Sequence, residues 1–336
     1  MFKRSCTLLA EIPKQEVLQW LGSIETVLFG TDGVLWNFDD PIKGSVETFN
    51  ATRNKGKRCF LVTNDSSMVA SDMAQKAMCL GLKVGEQEIL TSAACISNYL
   101  VVKKFKKKVL VVGETGIQEE LQKAGIQSVT IDQEAEERKM GQFARNLIVD
   151  SDVGAVVVGR DKSFNVSKIV VACTYLLNPK VMFLGTCMDT IYPVCEKRVT
   201  VGAAAMVAAI EKSSNRKPLI MGKPNPQMVY KLRQSGVLKP EKTLVIGDRL
   251  SSDIIFANNC GFKSLLVGSG AGSLEEAQEL KMEGNEKKLM MVPDTFLPSL
   301  GHLMEYLCED EKIKETDEGK AEKKRVDNKG NEAKAA

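Results

Sequence analysis

The sequence predicts an α/β fold organised around a parallel β-sheet, and three observations predict it. Short β-branched or apolar runs recur along the chain, helical patterns separate them, and the runs end in polar or glycine-rich turns. The runs are Glu25 to Phe29, Arg58 to Val62, Val109 to Val112, Ala155 to Val158, Val181 to Leu184, Leu219 to Met221, Thr243 to Ile246 and Ser264 to Val267. Helical stretches lie between them at Ala70 to Leu80, Glu119 to Ala124 and Lys168 to Leu177. Strands alternating with helices imply βαβ units, whose crossover helices cover the faces of a parallel sheet.

Composition narrows the class. The 336 residues suffice for one large domain or two ordinary ones. Apolar residues are 43% and charged residues 26%, the balance of a globular protein. A formal charge of +3, from 46 basic and 43 acidic residues, gives no concentrated basic face for nucleic acid. Apolar runs such as Val109 to Val112 are too short to span a bilayer, and the start MFKRSCTLLAEIPK lacks the apolar core of a signal peptide. No nucleic-acid or membrane partner and no export are expected. The nine cysteines are scattered and odd in number, with no CxxC pair, and the single histidine, His302, cannot complete a zinc set. Reduced, buried thiols and a cytoplasmic location follow. The basic run Lys103 to Lys108 reads as a solvated loop. Beyond Cys308, residues 309–336 are almost free of apolar side chains and read as a disordered charged tail.

The chemistry gathers where strands end, because ligands of open parallel sheets bind outside the carboxyl ends of the strands. Val27-Leu28-Phe29 runs into Gly30-Thr31-Asp32-Gly33, and Phe60-Leu61-Val62 into Thr63-Asn64-Asp65-Ser66-Ser67. Leu219-Ile220-Met221 runs into Gly222-Lys223-Pro224, and Leu244-Val245-Ile246 into Gly247-Asp248-Arg249, followed by Ser252-Asp253. Each turn alone has an ordinary reading as a loop or helix cap. Four in order supply hydroxyl and amide donors, a lysine and several carboxylates. That set suits a phosphate dianion beside a magnesium ion.

On these motifs the chain resembles the haloacid dehalogenase superfamily, in the branch of 4-nitrophenyl, phosphoglycolate and pyridoxal phosphate phosphatases with a C2-type cap. The resemblance runs from about Thr26 to Leu307 and includes Val158-Gly159-Arg160-Asp161 with Phe164, and Thr186 with Asp189 in the cap's substrate loop. It implies a doubly wound, Rossmann-like core interrupted by an α/β cap: core residues 1–94, cap 95–205, core 206–308. It also implies magnesium, a small phosphorylated metabolite and a homodimer formed through the cap. By the same resemblance Asp32 matches the general acid/base, Thr63 and Asn64 the phosphate binders, and Lys223 the charge clamp and phosphate ligand. Asp32, Asp248 and Asp253 match the metal group.

The departure falls on the nucleophile. The family's motif DxDGxxW opens with the aspartate that attacks phosphorus, and here Gly30 stands in its place. Without a side chain no phosphoaspartate forms, and a magnesium ligand goes with it. The family's PGTG reads Val201-Gly202-Ala203-Ala204, an asparagine is replaced by Cys187, and Met68 to Ala70 stand where basic residues are common. Cys187 has no neighbouring His or Lys to activate it. His302 reads as a surface residue of a helix over Leu297 to Leu307, and Trp36 as a packing residue. The reading that follows is a pseudophosphatase, inactive or strongly impaired, that binds phosphometabolites. Two alternatives stand beside it: a phosphatase still working through water or another nucleophile, and a non-catalytic scaffold for protein partners.

Overall fold

In the computed structural model, residues 2–131, 139–195 and 198–307 are described, so the expected charged tail lies outside the described residues. The first sheet holds seven strands in the order Thr7–Leu8, Thr295–Leu297, Lys263–Val267, Thr243–Gly247, Thr26–Phe29, Arg58–Thr63 and Ile89–Thr91. Every pairing is parallel. From the central strand Thr26–Phe29 the chain passes to Arg58–Thr63 on one side and, later, to Thr243–Gly247 on the other. Strand order reverses there, which opens a crevice at the carboxyl edge.

Burial on both faces explains why these strands read as unbroken apolar runs. Val27 and Phe29 point into one core with Leu61, Ile246, Phe49 and Trp20. Leu28, Phe60 and Val62 point into the other, against Ile96 and Leu100 of the helix Ser92–Val102.

That second core continues into another parallel sheet, ordered Leu219–Ile220, Met182–Gly185, Val153–Val158, Lys108–Val112 and Ser128–Val129. Its far face packs on the helices Val166–Leu176 and Ala203–Ser214 through Val171, Tyr175, Val207 and Ile210. The strand Leu219–Ile220, later in the chain than residue 205, pairs with Met182–Gly185 in this sheet. An antiparallel hairpin, Ile191–Cys195 with Arg198–Val201, hangs between the two sheets' loops.

Two local expectations change. The pattern over Leu297 to Leu307 splits at Pro298 into the strand Thr295–Leu297 and a 3₁₀ helix, Leu300–Tyr306, because proline cannot donate within a helix. The helix expected from Glu119 begins earlier, at Thr115. The basic run is loop only up to residue 107, where Lys104 turns through φ 54°; Lys108 opens the strand Lys108–Val112 and pairs with Asp150 at 2.8 Å. Among the described residues no helix is long and apolar enough to cross a membrane.

Leu28 is fully buried in the core that the two sheets share. Leu28→Ala is expected to lower the unfolding free energy by about 2–5 kcal/mol in urea denaturation. A loss under about 1 kcal/mol would contradict this packing.

Candidate active site

The site begins where the central strand ends. The amide of Gly30 donates to the Ile246 carbonyl at 2.8 Å, which ties it to the neighbouring strand. Thr31 then turns the chain: its carbonyl accepts from Leu35 N at 2.8 Å, and Gly33 follows with φ +76°. Gly33 has a second reason to be glycine, since a Cβ there would lie 2.5 Å from Asp248 Oδ2. Gly30 has neither reason. Its φ lies outside the left-handed region, and a Cβ would meet Val34 Cγ2 at 3.0 Å and the Ile246 carbonyl at 3.4 Å. A side chain would require Val34 to move by a few tenths of an ångström, so the backbone does not impose glycine.

The expected residues converge on one cavity of about 40 Å³, bordered by Asp32, Thr63, Asn64, Lys223, Asp248 and Asp253, and by Asp189 from the loop before the hairpin. That is room for roughly three waters. Thr63 Oγ1 accepts from Thr31 Oγ1 at 3.0 Å and from Asp65 N at 3.0 Å. Lys223 is buried and donates to Asp253 Oδ1 at 2.6 Å and to the Val62 carbonyl at 2.8 Å. Burial alone would push its ammonium down, but Asp253, with Asp189 and Asp248 behind it, holds it above its ordinary range. A lysine has three donors, so one ammonium hydrogen remains for a ligand.

The carboxylates are differently placed. Asp248 Oδ2 accepts from Ala271 N at 2.9 Å. Burial and then the nearby Asp253 raise its carboxyl from 3.8 to about 7. Asp32 is raised too, first by burial and then by Asp65, against the hydrogen bond from Thr31. A carboxyl raised in this way holds its proton more firmly, which suits the acid half of the expected acid/base role.

Asn64 borders the cavity, but its side chain is committed elsewhere. Its amide nitrogen donates to Asp189 Oδ2 and to the Lys223 carbonyl, both at 3.2 Å, and its Oδ1 accepts from Lys223 N at 2.7 Å. It therefore works as a clamp between the Lys223 turn and the Asp189 loop. Asp189 also accepts from Tyr192 Oη at 3.0 Å and faces Arg249 Nε at 3.8 Å, while Arg249 donates to the Ile191 carbonyl at 2.9 Å. Tyr192 and Arg249 were not singled out by sequence reasoning. Arg249 stood in the quoted GDR turn, whereas nothing local marks Tyr192. Thr186 does not border the cavity; its hydroxyl is buried without a hydrogen-bond partner among the described residues, and its carbonyl receives Gly222 N at 2.7 Å. Cys187 is buried, and burial pushes its thiol far up, which makes it inert.

The residues expected to hold magnesium, Asp32, Asp248 and Asp253, border the same cavity. Among the described residues no three His, Cys, Asp or Glu side chains come together in a metal-holding group. Asp253 is taken up by Lys223 and by Arg249 N at 3.2 Å, and Gly30 brings no carboxylate. Magnesium commonly takes one or two carboxylates and fills its other positions with water, so Asp32 and Asp248, which border the cavity, are the side chains left to hold one.

A doubly wound sheet whose switch point gathers a lysine, threonines and aspartates around one cavity is an arrangement suited to holding a phosphate group. Residues 27–127 match the family model for haloacid dehalogenase-like hydrolases, and residues 220–297 match a second one, described as HAD-hydrolase-like. Phosphoglycolate phosphatase 1A, chloroplastic, of Arabidopsis thaliana is 37% identical over 273 residues, covering 79% of this chain and 75% of the relative. The structure of a 4-nitrophenylphosphatase from Thermotoga maritima superposes with a TM-score of 0.67 at 27% identity, over 84% of this chain and 97% of that one. A Mycobacterium tuberculosis glycerol phosphate phosphatase in complex with magnesium shares the fold, with a TM-score of 0.68 at 24% identity over 87% of this chain and 79% of that one. The chain belongs to the haloacid dehalogenase-like hydrolases, among their phosphatases.

The raised carboxyls have a consequence for stability. The folded chain keeps the Asp248 proton to about pH 7, whereas the unfolded chain releases it near 3.8. Unfolding therefore releases protons, and stability falls as pH rises between about 4 and 7. In thermal melts across that window, Asp248→Asn is expected to flatten the decline. Equal slopes in both proteins would contradict the assignment.

Proposed function

We propose that this chain is a phosphometabolite-binding pseudophosphatase, impaired at the covalent step. The observation that carries the reading is Gly30, at the strand end where the family's nucleophilic aspartate stands, with Asp32, Thr63, Lys223, Asp248 and Asp253 gathered around one cavity. The remaining ammonium hydrogen of Lys223 and the Thr63 hydroxyl would bind the phosphate group. Asp32 would hold the proton for a leaving oxygen that nothing in the chain is placed to expel. Loss of the carboxylate also favours binding. At an effective dielectric of 20, a unit charge about 4 Å from a phosphate charge would oppose it by roughly 4 kcal/mol.

The ligand would be a small phosphorylated metabolite. A reducing cytoplasm accords with the seven described cysteines that stand unpaired. A homodimer through the inserted unit accords with the exposed Val194, Val199 and Val201 of the hairpin.

The test is hydrolysis of 4-nitrophenyl phosphate with magnesium present, comparing the wild type with Gly30→Asp. The wild type is expected to stay near background, and the variant to gain about 100-fold or more from a restored nucleophile. Magnesium-dependent turnover by the wild type, abolished in Asp32→Asn, would overturn the reading in favour of water or another nucleophile. Silence from both would mean that the site has changed beyond Gly30, and would favour a scaffold for protein partners.

A further inference from the structure

A second cavity, of about 200 Å³, adjoins the first and shares Asp32, Phe38, Asn64, Asp65 and Tyr192 with it. Its wall also carries Arg160, Lys76 and Asp39. The charged groups there can be accounted for one by one. Lys76 pairs with Asp39 at 3.4 Å and lies over the Trp36 ring. Asp65 Oδ1 accepts from Ser67 N at 2.9 Å. Asp32 has its carboxyl raised, first by burial, and lies 3.1 Å from the Thr31 hydroxyl. Arg160 is different: it is half-buried, and among the described residues its guanidinium makes no hydrogen bond and no ion pair.

The backbone beneath Arg160 is held on both sides. Its carbonyl accepts from Glu114 N at 3.1 Å. Asp161, the next residue, accepts from Ser163 N at 2.8 Å and pairs with Lys168 at 2.6 Å. Gly159, the residue before, lets this loop close on the first sheet's loop, since a Cβ there would lie 2.8 Å from Ser66 Oγ. An arginine presented from fixed backbone loses less freedom on binding, and its planar fork matches a carboxylate or phosphate bidentately.

We propose that Arg160 forms a second anion subsite, which selects small phosphomonoesters whose short organic part ends in an acid group. The proposal rests on the phosphate reading of the inner cavity. The ligand's phosphate would lie by Lys223 and Thr63, and its second acid would cross the shared wall to Arg160. A phosphomonoester with a neutral polar tail would leave the guanidinium unpaired and bind less well.

Calorimetric titration with three probes tests this: inorganic phosphate, glycerol 3-phosphate and phosphoglycolate. The wild type is expected to bind phosphoglycolate about tenfold or more tighter than glycerol 3-phosphate, the size of one charge-assisted contact. The readout is the ratio of these two affinities. Arg160→Gln is expected to bring it near one, and Arg160→Lys to restore part of it, with circular dichroism confirming the fold of each. Equal wild-type affinities, with phosphate still bound, would overturn the second subsite and leave the phosphate reading standing. A preference that persists in Arg160→Gln would overturn the role of Arg160. No binding of any probe would overturn both readings together.

Discussion

The constraint on which this site depends is the concentration of carboxylates in a crevice with little water. Asp32, Asp65, Asp189, Asp248 and Asp253 border one cavity, and only Lys223 and Arg249 answer them there with positive charge. Isolated buried charges are expensive, so the surplus must be paired or protonated. Both occur. Lys223 pairs with Asp253, Arg249 faces Asp189, and the carboxyls of Asp248 and Asp32 are raised. A further carboxylate at position 30 would add to the surplus, so Gly30 lightens the electrostatic load.

The same balance links the two sheets. Asn64 ties the Lys223 turn to Asp189, and Tyr192 and Arg249 extend that contact to the hairpin. Asp189 and Arg249, which help to balance the crevice, thus also bind the hairpin residues Tyr192 and Ile191. A phosphate entering beside Lys223 would meet charges that already have partners, and its affinity would come from the unused ammonium hydrogen and the Thr63 hydroxyl. In the reading proposed above, the absent carboxylate and the unpaired Arg160 would both favour anion binding.

Much of this was legible in the sequence, for a physical reason. Strands buried on both faces must be apolar throughout, and the turns at their ends must be polar, so the eight runs and the four turns stood out. Short edge strands such as Thr7–Leu8 and Ser128–Val129 bury too little to leave a pattern. The hairpin escaped notice because it is short and partly exposed, and Tyr192 gains its partners only when the two sheets meet. The resemblance implies a phosphate contact for Asn64, and in the structure its side chain borders the cavity while clamping two loops. The three aspartates expected at a magnesium ion, Asp32, Asp248 and Asp253, do border one cavity.

The most direct test of anion binding at this site is a crystal structure of the wild-type protein soaked with tungstate, a heavy mimic of phosphate. An anomalous peak within hydrogen-bonding reach of Lys223 Nζ and Thr63 Oγ1, with the Lys223–Asp253 pair still formed, is the predicted result. An empty cavity at saturating tungstate, or a peak held only by surface lysines, would contradict the account.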